Sequence, residues 1–415
     1  MTVLAQHPKV LESVRVPISM LRNPDTFGGK VDGDCLYGDL LVCDTRVVGM
    51  RDPAHANPIP RMVLPRLTEC HVHLDKCHTV ARMPAVGGDL FAAIEAQRAD
   101  KELWTQEDIH QRASRGLEEL IASGCGAARS HVDWSGASEI LQPPIGWDVL
   151  TELACDYKNQ IELQVSPLIG VDDLVEPEIA EKLARMIAAK SNVMGVFVFD
   201  QKDRRAGIHA AFLAAEEHNL ALDFHVDEGL VDGLNGIGLI ADIALETGFS
   251  GPVLCGHACS LMNLDGRDCD EMIDKIARSG IHVASLPATN LYLQGRTSGT
   301  PDRRGLTRLA ELKAAGVSVA VGTDNVCDAF CPLGRHDPRQ SMMLAVLAAH
   351  LDPSFGEFLP MITTNAQRAI GLEPLFVDGA NFEDLVMFPA ASTFELLADN
   401  CTPQPLITQV TGAFA

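Results

Sequence analysis

Hydrophobic positions alternate in two rhythms along this chain of 415 residues. Short, almost continuous apolar runs rich in β-branched residues predict buried strands: RMVLPRLTECHVHL, GAARSHVD, IELQVSPLIG, NVMGVFVFD, LALDFHVD, GPVLCGHA, IHVASLPA and VSVAVGTD. Between them lie stretches whose apolar residues return every three or four positions, as on one face of a helix: DLFAAIEAQRA, TQEDIHQRASRGLEELIASG, PEIAEKLARMIAAKS, GIHAAFLAAEEHN, GIGLIADIALETG, DCDEMIDKIARSG and GLTRLAELKAAG. Thr105 and Asp108 have the spacing of a helix N-cap pair, and several segments stop at glycine, the residue that most easily takes the left-handed turn ending a helix. Strands joined by helices predict a parallel sheet covered on its outside. Eight such units in roughly 250 residues predict an α/β fold, a (β/α)8 TIM barrel. A doubly wound open sheet satisfies the same pattern, because strand order is not readable from a linear sequence.

Composition narrows the function. A 47% hydrophobic chain of this length buries a large core, which excludes disorder. The balance of 33 Lys and Arg against 56 Asp and Glu leaves a net charge of -23. Such a surface repels phosphate backbones and anionic membranes, so no nucleic-acid and no membrane partner is expected. No run of 18 apolar residues occurs, and MTVLAQHPKVLES lacks the basic and apolar regions of a leader, so a soluble cytoplasmic protein is expected. The 12 cysteines are scattered without a CxxC pair and read as reduced, small buried hydrophobes.

The polar residues in the strand runs gather at one end. His71 and His73 follow the first run, His131 and Asp133 the second, His225, Asp227 and Glu228 the fifth, His257 the sixth, and Asp324 and Asn325 the eighth. Residues two apart on a strand share a face, so His71 and His73 project together, into the barrel mouth where this architecture builds its sites. Imidazoles with a carboxylate and no thiolate suit one Zn2+ or Fe2+ with a coordination position left open. His78, His110, His209, His218 and His336 fit no such pattern and read as surface or core residues.

The motifs HVHLDK, HVDE, CGHA, LQGRTSGTPDRRGLTRLAEL and GTDNVCDAFCPLG resemble the amidohydrolase superfamily, specifically its cytosine deaminase branch, over about residues 60 to 375. The resemblance implies His71, His73, His225 and Asp324 as ligands of a single divalent metal, since strand four, VFVFD, has no lysine for a second ion. It further implies Glu228 as the proton shuttle, and His257 with Asp324 as the groups that orient the attacking water. Asp75 and Lys76 are expected to support the ligand imidazoles. Gly170 stands where cytosine deaminases carry a glutamine, and Asn325 follows the metal aspartate as in the branch acting on N-isopropylammelide. Phe330 matches an aromatic of the substrate pocket, and Gln294 and Arg296 line or brace its mouth. The implied architecture is a barrel over residues 61–375 beside a small β-sandwich from residues 1–60 and 376–415. The implied activity is hydrolytic deamination of a cytosine-like planar nitrogen heterocycle with release of ammonia. The alternatives are an N-alkylaminotriazine aminohydrolase and a cyclic amidase, whose usual sites are binuclear. A binding or transport protein has no use for a shuttle glutamate beside an open metal site, and the HxE and PCxxC signature of nucleic-acid deaminases is absent. The partner is a small heterocycle; the oligomeric state, homo-oligomer included, stays open.

Overall fold

The apolar runs assemble into one parallel eight-stranded sheet whose strand order follows the chain. Its strands are β1 (Leu67–Val72), β2 (Cys125–Trp134), β3 (Glu162–Gly170), β4 (Val193–Val198), β5 (Ala221–Val226), β6 (Val253–His257), β7 (His282–Ser285) and β8 (Val319–Val321). A parallel bridge between Val72 and Asp324 joins the last strand to the first, and the Asp324 amide donates to the His71 carbonyl at 2.9 Å. The ring closes, so the fold is the (β/α)8 barrel and not an open sheet. This computed structural model describes residues 8–55, 59–83, 86–134, 140–398 and 401–406.

Helices cover the barrel for local reasons. Gln106–Ser123 is capped by Thr105, whose hydroxyl accepts from the Asp108 amide at 3.1 Å, and it ends at Gly124 with φ 98°. Its buried Ile109, Ala113, Leu117 and Leu120 fall on one face. Burying each leucine is worth about 1.5–3 kcal/mol, far more than the helix gains from propensity alone. Ile145–Asp156, between β2 and β3, is a helix the sequence reading omitted; it buries Trp147, Leu150 and Leu153. GLTRLAELKAAG, in contrast, yields only Leu309–Ala314.

The run RMVLPRLTECHVHL is two strands. Met62–Pro65 pairs in parallel with Lys9–Pro17 and antiparallel with Leu385–Phe388, and only Leu67–Val72 enters the barrel. The switch falls between Pro65 and Leu67, where the Arg66 amide donates to Asp384 O and the Leu67 amide to Gly124 O. Residues 62–65 therefore pair with strands from the two chain ends. Those ends form a hydrogen-bonded mixed sheet of seven strands, which makes up a small additional domain. FEDLVMFPA supplies one of them; most of PLITQVTGA lies outside the described residues. All 12 cysteines are free thiols, and among the described residues no helix is long and apolar enough to cross a membrane.

Candidate active site

Four strand ends deliver five side chains to one point. His71 lies in β1 and His73 just beyond it, His225 lies in β5, His257 ends β6, and Asp324 follows β8. His257 and Asp324 hold left-handed φ values of 68° and 58°. Such backbone is disfavoured by about 1–3 kcal/mol per residue and persists only where the surroundings determine it. Here β-strand pairing fixes both: the Asp324 amide is bound to β1, and the amide of Ala258, next to His257, donates to Val226 O of β5.

The donor atoms converge. His73 Nε2 lies 3.1 Å from His225 Nε2 and 3.3 Å from Asp324 Oδ1, and His71 Nε2 lies 3.6 Å from the same oxygen. Donor atoms about 2.0–2.2 Å from one small cation stand roughly 3 to 3.5 Å apart, so these spacings fit ligands that would share one divalent ion. Burial pushes the three imidazoles well below their ordinary pKa, which leaves their lone pairs free. Among the described residues, neither oxygen of Asp324 nor either ring nitrogen of His71 has a hydrogen-bond partner. Buried orphans of this kind each cost about 1–3 kcal/mol, and a divalent cation held by His71, His73, His225 and Asp324 would satisfy one nitrogen of each ring and the carboxylate. His131 joins the same histidine group, its ring centroid 4.2 Å from that of His71. Its Nε2 lies 3.1 Å from Asp223 Oδ1, while Arg129 Nη1 holds Asp223 Oδ2 at 2.9 Å.

Beside this cluster, Glu228 Oε2 lies 3.7 Å from His257 Nε2. Burial first, and then the neighbouring Asp324, push the Glu228 carboxyl well up, whereas burial pulls His257 down to about 4. Asn290, on Pro287–Leu293, places its Nδ2 3.1 Å from His257 Nδ1. An amide nitrogen donates, so Nδ1 accepts and the imidazole proton resides on Nε2, the nitrogen toward Glu228. The sequence reading missed Asn290.

A cavity of about 400 Å³ is lined by His73, His225, Glu228 and His257, and also by Gly170, Asn325 and Phe330. Helix Leu90–Lys101 contributes Leu90, Ile94, Gln97, Arg98 and Lys101, none of them foreseen. The Asn325 amide donates to Asp328 Oδ2 at 2.7 Å, leaving its oxygen as an acceptor. Gln294 is placed elsewhere: its Nε2 donates to the Glu228 carbonyl at 3.1 Å, which braces the loop without lining the cavity. The Arg296 guanidinium lies 4.5 Å from the Tyr292 ring centroid, likewise off the cavity lining. Asp227 caps a helix, accepting from the Gly236 and Ile237 amides and from Ser260 Oγ. The support expected from Asp75 and Lys76 is not there: among the described residues neither hydrogen-bonds a ligand imidazole. Asp75 Oδ2 accepts from the Asp133 amide, and Lys76 Nζ pairs with Asp133 Oδ1. His78 and His336 form a separate group with Glu119, at 3.4 and 2.9 Å.

Residues 178–375 match the amidohydrolase family. Pterin deaminase of Rhizobium rhizogenes is 32% identical over 377 residues, covering 89% of this chain and 85% of that protein. N-isopropylammelide isopropyl amidohydrolase of Pseudomonas sp. is 22% identical over 341 residues, covering 80% of each. The structure of 5-methylcytosine deaminase from Klebsiella pneumoniae liganded with phosphonocytosine superposes with a TM-score of 0.77 at 23% identity, covering 94% of this chain and 95% of that one. Kinship through nearly the whole chain, on a closed barrel whose strand ends converge on a ligand cluster, leaves one assignment: this chain belongs to the amidohydrolase family and is a hydrolase of carbon–nitrogen bonds.

Proposed function

We propose that the protein is a metal-dependent deaminase that replaces the exocyclic amine of a planar nitrogen heterocycle by oxygen, with a 2-amino-4-oxopteridine as the preferred ring. The observation that carries this reading is the 3.7 Å approach of Glu228 Oε2 to His257 Nε2 in the cavity that His73 and His225 also line. A Zn2+ or Fe2+ ion held by His71, His73, His225 and Asp324 supplies Lewis acidity and an activated water. Glu228, its carboxyl pushed up by burial, donates a proton to a ring nitrogen, which makes the amino-bearing carbon more electrophilic. The proton taken from the attacking water returns through Glu228 to the departing amine, so water and substrate give the oxo ring and ammonia. His257, its Nδ1 tied to Asn290, presents its Nε2 proton to the attacking oxygen. The Asn325 oxygen accepts from a ring N–H, and Phe330 packs on the ring face.

Two observations favour a fused ring. Gly170 adds no side chain to the cavity it lines, and the 32% identical relative is a pterin deaminase. Asn325 supports the second reading, removal of an alkylamine from a triazine. The test is mass spectrometry of products after incubating Zn2+- and Fe2+-loaded protein with pterin, cytosine, 5-methylcytosine and N-isopropylammelide. Ammonia with the dioxo pteridine is the expected outcome. Isopropylamine from the triazine moves the protein to the second reading, and no turnover of any ring with metal bound overturns both.

A further inference from the structure

We propose that Lys76 binds the substrate, donating to an oxo oxygen that lies one ring nitrogen away from the carbon losing its amine; this rests on the deaminase reading above. Lys76 lines the catalytic cavity with its side chain only 3% exposed, and its ammonium lies 5.2 Å from the centroid of the Phe330 ring. Its one hydrogen-bonded partner among the described residues is Asp133 Oδ1, at 2.5 Å. An ammonium carries three N–H donors, so two more are available to a ligand in the cavity. The other oxygen of Asp133 is already matched by Lys101 Nζ at 2.7 Å, so Lys76 is not needed merely to neutralise Asp133.

The surroundings keep this lysine charged and fixed. Burial alone would lower its pKa, but Asp133 and Asp75 outweigh burial and hold it above the ordinary lysine value. Its backbone is clamped: Thr79 Oγ1 donates to the Lys76 carbonyl, and Arg112 Nη1 donates to the carbonyls on either side, of Asp75 and Cys77. Its charge is felt by Glu228, Asp324 and Asp328, which places it among the groups that surround the reacting carbon.

A fixed, buried cation with spare donors fits an acceptor that gains charge during the reaction. Take a ring whose amino-bearing carbon is double-bonded to a nitrogen that in turn joins a carbonyl carbon. With that nitrogen protonated by Glu228, attack of water on the amino-bearing carbon forms the C–O bond, returns one water proton to the Glu228 carboxylate and shifts the C=N electron pair onto the nitrogen, whose lone pair spreads by conjugation onto the oxo oxygen. Collapse returns the pair and expels ammonia, with the proton delivered by Glu228. Lys76 transfers no proton; its hydrogen bond strengthens as the oxygen becomes negative. The substrate class is therefore an amino-oxo azine, and a diamino or unsubstituted ring leaves the ammonium unpaired.

The test compares kcat/KM for pterin and for 2-aminopteridine, which lacks the oxo group, in wild type, Lys76→Met and Lys76→Gln. Wild type is expected to prefer pterin, and Lys76→Met to reduce the pterin-to-aminopteridine ratio by about 10- to 100-fold, through loss on pterin. Lys76→Gln, which keeps a donor without the charge, falls between the two and serves alone should Lys76→Met not fold. A purely structural lysine would lower both substrates equally, so a ratio unchanged in the variants overturns the proposal. Absence of turnover of both rings by wild type overturns the deaminase reading instead.

Discussion

Glu228 Oε2 faces His257 Nε2 across 3.7 Å, although the two residues end different strands and their pKa values are driven in opposite directions. A carboxyl pushed up beside an imidazole pulled down gives the cavity a proton donor and an uncharged hydrogen-bond donor. Replacing Glu228 by glutamine keeps the shape and removes the titratable proton. Glu228→Gln is expected to lower kcat by about 10²- to 10⁴-fold with KM changed only a few-fold. Steady-state kinetics on the best ring checks this; a variant that loses affinity and keeps kcat would assign Glu228 to binding.

Asn290 acts through His257. Without its amide the imidazole is free to exchange tautomers and to turn, so the Nε2 proton is no longer held toward Glu228. Asn290→Ala is expected to lower kcat by about 10- to 100-fold, while the loss of one buried hydrogen bond costs about 1–2 kcal/mol of stability. The pH profile of kcat separates the two effects: a positioning role moves its limbs, and a stability role leaves their midpoints in place.

Removing the ion tests the ligand set. Chelation is expected to abolish turnover, and readdition to restore it with one ion per chain by elemental analysis. Metal at 100 times its Kd adds about 2.7 kcal/mol to the folded state, which raises Tm by roughly 3 °C in a chain of this size. Asp324→Asn should weaken binding and shrink that rise, because only the carboxylate offers a charge to the cluster. Two ions per chain, both lost in Asp324→Asn, would point to a binuclear site.

Which parts were legible in the sequence follows from the range of the interactions. HVHL, the His of HVDE, CGH and GTD could be read because a strand's two-residue period and its end are local properties, and a parallel barrel brings all such ends to one mouth. Asn290 could not: it reads as an ordinary polar residue in a short helix, and its partner lies 33 positions away. Helix Leu90–Lys101 was visible as a helix, but that it contributes Ile94, Gln97 and Lys101 to the cavity is decided by tertiary packing. The split at residue 66 did have a signal. Pro65 cannot donate to a ladder, and a proline inside an apolar run argues for a strand end there.

Glu69 is the acidic residue inside that run, and the structure explains why β1 tolerates it. Its Oε1 accepts from the His71 amide at 2.9 Å, and its Oε2 from the Thr323 amide at 3.0 Å, across the seam where β1 and β8 otherwise share only one bridge. Glu69→Ala would strand two buried backbone donors and open a void, a loss of about 3–5 kcal/mol. Because His71 and Asp324 flank that seam, metal affinity should fall with it. Urea unfolding with and without metal measures both; a stability loss below about 1 kcal/mol would mean the seam relaxes without Glu69.

Acid sensitivity should arise outside the site as well. His282, at the start of β7, is pulled from 6.5 to about 4, first by burial and then by the nearby Arg368 and Arg129. The unfolded chain takes up this proton first as pH falls, so protonation favours unfolding. Above pH 6.5 the group is neutral in both states and contributes nothing. Between about 6.5 and 4 stability declines, and below 4 the full loss is present. Discounted for the partial exposure of the side chain, that loss is about 2 kcal/mol. Buried histidines of the active site add their own acid loss, so the measurement must be a difference. His282→Gln, which cannot take up a proton in this range, should lose about 1.5 kcal/mol less than wild type between pH 7.5 and pH 4.5 in urea unfolding. Equal losses in the two proteins would show that water reaches His282 freely and that its proton is bound as readily in the folded state as in the unfolded one.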